Sequence, residues 1–525
     1  MSLTRATETA HQATGPWIPD LGDGTYQNPV LYADYSDPDV IRVGQDYWMT
    51  ASSFCHLPGL PILHSRDMVN WELVTHALPR LTPAEAYERH QPGCGVWAPA
   101  IRHHAGKFWI FYPDPDYGIF VVTATDARGP WSAPHLLKGG RGLIDPCPLW
   151  AEDGRAWLVH AWARSRSGIN NMLTLHEMAP DGSGLLDDGK VIIDANQMEG
   201  WDTLEGPKLY QHGGWYWVFA PAGGVATGYQ AVFRSRNPHG PYEARMVLEQ
   251  GETPVNGPHQ GAWVDTPEGE HWFFHFQELQ PYGRIVHLQP MRWREDGWPV
   301  MGEADDIATC GVPVLIHPKP ALPAQKVAVP PTSDDFSSGQ LGRQWQWQAN
   351  PQRSWASLPG GSTGLRLACV PQLEPSLWQA PQLLLQKFPA PAFTARTVLD
   401  LQAVSTGDQA GLIVFGYDYA WAGLVQASEG LKLVMRLCHE AESGSPEREE
   451  IEMPAPAEVC HLQVVVAKGG ACRFAWSIDG TVYQPIGPKF QARESRWVGA
   501  KVGLFAASNE RRPAGHAHFQ YFTIA

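Results

Sequence analysis

One short pattern occurs five times in this chain and constrains its fold more tightly than any other feature. The copies read "GQDYWMTAS", "GKFWIFYP", "GRAWLVHA", "GWYWVFAP" and "GEHWFFHF", starting at Gly44, Gly106, Gly154, Gly214 and Gly269. Each is a glycine followed by an aromatic-rich apolar run, as when a hairpin turn feeds a strand. Successive glycines stand 62, 48, 60 and 55 residues apart. After each run comes another strand, and four of these close on a turn and an aromatic: "PILHSRDMVNW", "IFVVTATDARGPW", "QAVFRSRNPHGPY" and "IVHLQPMRWREDGW". The third, "MLTLHEMAPDGSGLL", keeps strand and turn without the aromatic. A unit of this length, built of strands and turns, predicts an all-β chain with a five-bladed β-propeller.

An apolar strand also precedes each repeat glycine. These strands open on Asp37, Trp97, Asp145, Glu205 and His259, which lie 7, 9, 9, 9 and 10 residues ahead of their glycines. The innermost strand of every propeller blade runs beside the central channel. Equivalent positions therefore converge, and Asp37, Asp145 and Glu205 are expected at one mouth of that channel, with Trp97 and His259 between them. Asp37 precedes a proline in "SDPDV". Proline pushes the preceding residue toward an extended conformation, so Asp37 is expected to be held stiffly there.

Carboxylates brought together from distant positions suit glycoside hydrolysis. One is protonated and gives its proton to the leaving oxygen. Another is ionised and activates water. A third like charge raises the acid's pKa. "LEGPKLY" surrounds Glu205 with apolar groups, so Glu205 is expected as the acid, Asp37 as the base, and Asp145 as the group that tunes and orients the acid. A metal site is the rival reading, because carboxylates and histidine also bind Ca²⁺, and His259 would then be a ligand. No D-x-D-x-D-G loop supports it.

The 23 Trp, 16 Tyr and 18 Phe suit an all-β fold and also suit sugars, whose C–H faces stack on aromatic planes. A net charge of −15 without a basic block argues against nucleic acid as a partner. No run of 18 apolar residues appears, so no membrane span is expected. The eight cysteines show no C-x-x-C spacing, and buried free thiols are the default. With no apolar leader in "MSLTRATETAHQATGPW", the expectation is a cytoplasmic protein; a removed leader would make it periplasmic or secreted.

Seven stretches, taken in order, resemble glycoside hydrolase family 43: "NPVLYADYSDPDVIRVGQDYWMTASSF", "PGLPILHSRDMVNW", "GVWAPAIRHHAGKFWIFY", "GLIDPCPLW", "LEGPKLY", "NGPHQGAWV" and "GRIVHLQPMRW". The resemblance implies an inverting mechanism with Asp37 as base, Asp145 as tuning residue and Glu205 as acid. It adds Arg284 as a contact to sugar hydroxyls. It makes Phe54 and Trp97 pocket walls, and sets His259 near the axis, in some members beside a calcium ion. No cofactor is required. The substrates it implies are terminal pentosides, β-xylosides first and α-L-arabinofuranosides second, cleaved in exo fashion. A glycan-binding propeller without catalysis is the alternative from another class.

The propeller is expected over residues 24–315, followed by a proline-rich linker over 316–333. Residues 334–525 alternate strands and turns at sandwich-like spacing, and resemble the concanavalin-like β-sandwich that follows many β-xylosidase propellers. That domain is expected to shape the pocket mouth, with glycan binding through its tryptophans as the alternative. A loop at 507–519 is expected to reach the propeller, and a homo-oligomer is left open.

Overall fold

The computed structural model describes residues 15–359, 364–372, 374, 376–510 and 515–525. Five four-stranded antiparallel sheets follow one another in chain order. Blade 1 comprises Asp39–Val43, Asp46–Thr50, Gly59–Ser65 and Glu72–Leu78. Blade 2 runs from Ala100–His104 to His135–Gly139, blade 3 from Leu143–Trp150 to Lys190–Asp194, blade 4 from Lys208–His212 to Glu243–Leu248, and blade 5 from His259–Asp265 to Pro299–Met301. All five repeat glycines have positive φ, from 66° to 92°. Three of them lie in two-residue hairpin loops, after Val43, His104 and His212, where that backbone twist is required.

The aromatic runs fill the seams between blades. Trp48 and Phe108 lie in the cluster between blades 1 and 2, Phe111 and Leu158 between 2 and 3, and Trp157 and Val218 between 3 and 4. Trp217 and Phe273 lie between 4 and 5, and Met49 and Phe274 between 5 and 1. The aromatics that close the turns are anchored alike: Trp71 Nε1 donates to Met68 O, Trp131 Nε1 to Ala127 O, and Tyr242 Oη to Pro238 O, at 2.8–3.0 Å.

Polar contacts join the inner strands into a ring. Arg102 of blade 2 donates to Asp39 of blade 1 (2.7 Å) and to Cys147 Sγ of blade 3 (2.8 Å). Leu209 N of blade 4 donates to the same sulfur, and Trp263 N of blade 5 to Tyr210 Oη. Arg42 and Asp265 close the circle at 2.9 Å. Outside the blades, Thr25–Gln27 pairs with Ile316–Pro318, so the first residues of the proline-rich stretch form a strand.

The C-terminal half is a sandwich of two sheets. The first is centred on Lys501–Ser508, Asp408–Phe415 and Tyr419–Ala427, the second on His516–Ile524, Phe393–Gln402 and Val459–Ala467. Leu412, Leu424 and Met435 face Leu399, Leu462 and Phe519 in the core. That cluster also includes Tyr32, Tyr282 and Ile285 of the propeller. Main-chain bonds cross the junction as well, with Leu57 N to Trp347 O at 3.0 Å and Trp347 N to Leu57 O at 2.7 Å.

Candidate active site

Asp37 stands two residues before the inner strand of blade 1 with φ +55°, not in the extended conformation that Pro38 favours. Asp145 repeats this before Pro146, also at φ +55°. Aspartate tolerates the left-handed region better than most residues, and strain of this kind persists where the surroundings fix the side chain. They do so at Asp37. Ser36 Oγ and Ser52 Oγ donate to its Oδ2 at 2.9 and 2.5 Å, and Arg284 Nη1 donates to Oδ1 at 2.9 Å. Arg284 lies in the third strand of blade 5 and spans the gap back to blade 1.

Asp145 sits in the inner strand of blade 3, where the register slips between Ile144 and Cys147. Its Oδ2 accepts from Gly206 N at 2.8 Å, so the residue after Glu205 ties blade 4 to blade 3. Glu205 lies three residues before the inner strand of blade 4 and keeps 27 % of its side chain open. Of these two carboxyls the more deeply buried is therefore that of Asp145, against the expectation from "LEGPKLY". Burial first, then the negative charge of Glu205, pushes Asp145 well above the ordinary carboxylate range. Gly206 turns at φ +60°, which aims Glu205 toward the open space.

Asp37, Asp145, Glu205, Phe54, Trp97 and Arg284 all line one cavity of about 610 Å³. His259 does not. It is fully buried, with Nε2 3.2 Å from Glu205 Oε1, so it stands behind this carboxyl and meets a sugar only through it. The other ring atom, Nδ1, is buried without a partner. Among the described residues, no group of three mutually close His, Cys or carboxylate ligands includes His259.

The cavity has walls that the repeats do not mark. Asn171, Thr203, Gln260 and Glu278 lie on them, and so does Trp497 of the sandwich. The Trp497 ring meets Trp97 edge-on at 6.2 Å, and the Arg284 guanidinium lies 5.7 Å from it. Its backbone is left-handed at φ +63°. The sandwich's other six tryptophans (345, 347, 355, 378, 421 and 476) are buried in packing, while Trp497 is 39 % exposed. The segment before 507–519, the stretch expected to reach the propeller, makes one such contact, with Gly499 N donating to Asp34 at 2.9 Å. Residues 511–514 of that stretch lie outside those described. No local pattern in the sequence marks Trp497, because a loop of one domain reaches the cavity of the other only through tertiary packing.

The comparisons with known proteins agree with this geometry. The glycosyl hydrolases family 43 model matches residues 26–299, and the β-xylosidase C-terminal concanavalin A-like domain model matches 333–525. A β-xylosidase of Formosa agariphila is 30 % identical over 571 residues, covering 99 % of this chain and 93 % of the relative. A non-reducing end α-L-arabinofuranosidase of Bacteroides ovatus is 26 % identical over 535 residues, covering 97 % and 96 %. Among solved structures, xylan β-1,4-xylosidase from Bacillus halodurans superposes with a TM-score of 0.83 at 26 % identity, covering 95 % of this chain and 99 % of that one. With the family model spanning over half its length and the carboxylates of three blades facing one cavity, the chain belongs to glycosyl hydrolase family 43.

Proposed function

We propose that this glycoside hydrolase removes single β-D-xylosyl residues from the non-reducing ends of xylo-oligosaccharides, with inversion at the anomeric carbon. The observation that carries this reading is the convergence of Asp37, Asp145 and Glu205 on one cavity that Trp497 walls from the sandwich side. Glu205 gives its proton to the glycosidic oxygen as the C1–O bond breaks. Asp37 takes a proton from the water whose oxygen bonds C1 from the opposite face. Asp145, bound to Gly206 N, fixes the turn that carries Glu205 and sets a second carboxyl in the same cavity. His259 orients the same carboxyl from behind. Arg284 holds Asp37 and is placed to meet sugar hydroxyls. No step uses a metal.

α-L-Arabinofuranosides are the second reading, favoured by the arabinofuranosidase among the relatives. Eight unpaired cysteines, six of them buried, support a reducing compartment such as the cytoplasm. Assays on nitrophenyl β-xyloside and nitrophenyl α-L-arabinofuranoside, side by side, rank the two substrates. NMR of the first-formed sugar is expected to show α-xylose from a β-xyloside. First-formed β-xylose would overturn the inverting assignment, and binding of xylo-oligosaccharides without release of any sugar would overturn the activity.

A further inference from the structure

Behind the Phe54 wall lies a second group of chemistry-bearing side chains that hydrolysis does not use. Cys55 and His56 follow Phe54 in the connection between the second and third strands of blade 1. His90 comes from the long connection between blades 1 and 2. Cys55 Sγ and one ring nitrogen from each histidine lie within 4.8 Å of one another. All three residues are buried, at 0, 6 and 3 % exposure. Among the described residues no other three such donors are so placed.

The two imidazoles are held in the same way. His56 Nδ1 lies 3.2 Å from Ser53 O, and His90 Nδ1 lies 2.6 Å from Trp378 O in the sandwich. A carbonyl only accepts, so each Nδ1 carries the proton and each Nε2 presents a lone pair. Metal-bound histidines are held in this manner, with one nitrogen fixed by a backbone acceptor and the other free for the ion. Among the described residues the one side-chain competitor at His90 Nε2 is a long 3.4 Å contact from the Gln348 amide. Lys501 approaches from the sandwich, and its buried Nζ has no hydrogen-bond partner.

We infer that Cys55, His56 and His90 form a binding site for a borderline-soft divalent cation, Zn²⁺ by preference, at the junction of propeller and sandwich. One sulfur and two imidazole nitrogens suit zinc and disfavour calcium or magnesium. Binding forms one Zn–S and two Zn–N bonds and sends the Cys55 thiol proton to solvent, with no change of oxidation state. Zinc bond lengths require donors about 3.3–3.6 Å apart in a tetrahedron, so the three side chains close inward by about an ångström and a water takes the fourth position. The ion would tie blade 1, the connection to blade 2 and, through Trp378 O, the sandwich. It would also stiffen the segment carrying Phe54 into the catalytic cavity.

The test uses the full chain, stripped with a chelator and titrated with Zn²⁺, and with Co²⁺ as the spectroscopic probe. The expected result is one equivalent bound, a sulfur-to-cobalt charge-transfer band, and a higher thermal midpoint with Zn²⁺. Cys55→Ser removes the band, His90→Gln weakens binding at least ~10-fold, and the control Cys310→Ser leaves both unchanged. Failure of the unaltered chain to bind one equivalent, binding without the sulfur band, or a band that survives Cys55→Ser would each overturn the site. Because the unaltered chain's cobalt spectrum decides on its own, poor folding of a variant does not rescue the proposal.

Discussion

A backbone bond from the residue after Glu205 reaches Asp145, and burial, then the negative charge of Glu205, opposes ionisation of Asp145. Gly206 N favours negative charge on Asp145, and Glu205 is the member open to the cavity. A sugar in place therefore meets Glu205, the acid of the proposed mechanism. Glu205→Ala should slow xylobiose hydrolysis by about 10²–10⁴, the range for loss of a general acid. It should cost far less on a dinitrophenyl xyloside, whose leaving group departs without protonation. Equal losses on both substrates would remove Glu205 from the acid's role. For Asp145 the linkage sign is clear. Its carboxyl binds a proton more tightly folded than unfolded, so the stability it costs grows as pH rises from ~4 toward about 8. Asp145→Asn should thus raise the thermal midpoint, more at pH 8 than at pH 5, while lowering kcat. A stabilisation that is the same at both pH values would contradict the buried-acid assignment.

Strand ends and turns decide how these side chains meet. The repeat glycines made the blades legible in the sequence, and their similar offsets of 7 to 10 residues made the convergence of Asp37, Asp145 and Glu205 legible too. Two things were hidden at this scale. Pro38 and Pro146 argue for extended neighbours, yet both aspartates are left-handed, because their side-chain and cross-blade bonds outweigh a local preference. The apolar letters around Glu205 also do not tell which way its turn faces, and that turn depends on Gly206. A Cβ at Gly206 would lie 2.7 Å from the Gln260 Cδ atom on a backbone with φ +60°. Gly206→Ala should therefore push Gln260 or tilt the Glu205 turn, with kcat/KM on xylobiose falling by about 10²-fold, as expected for a misplacement near 1 Å. Unchanged kcat/KM would show that the turn tolerates movement. From the other domain, Trp497 closes the cavity over Trp97 and Arg284. Trp497→Ala should raise KM for xylobiose about 10-fold, the loss of ~1.4 kcal/mol of sugar and side-chain packing, with a smaller change in kcat. A pure loss of kcat would mean that the ring acts on the chemistry and not on the sugar's seat.

At the scale of the whole molecule the two halves share one interior. Domains joined by a polar, modest interface move relative to one another by default. Here Tyr32, Tyr282 and Ile285 of the propeller are buried in the same cluster as the sandwich core. Asp34 divides its oxygens between Arg284 N of the propeller and Gly499 N of the sandwich. Asn350 of the sandwich accepts from Leu81 N and donates to Leu81 O and Ala84 O. The sequence predicts that the sandwich shapes the pocket mouth, but these particular contacts were not legible in it, because the proline-rich stretch reads as a boundary between units. Composition and repeats describe each fold alone, and cross-domain contacts leave no periodic trace. Removing the sandwich would expose these aromatics and strip partners from Asp34, Leu57 and Leu81. Each buried polar group left unpaired costs about 1–3 kcal/mol, against a total domain stability of about 5–15 kcal/mol. A chain ending at residue 332 should therefore be insoluble or inactive, and calorimetry of the full chain should show a single transition in which xylosidase activity and near-ultraviolet ellipticity vanish together. Two separated transitions, or a soluble truncated propeller with unchanged kcat/KM, would show that the sandwich is an attachment and not half of one cooperative structure.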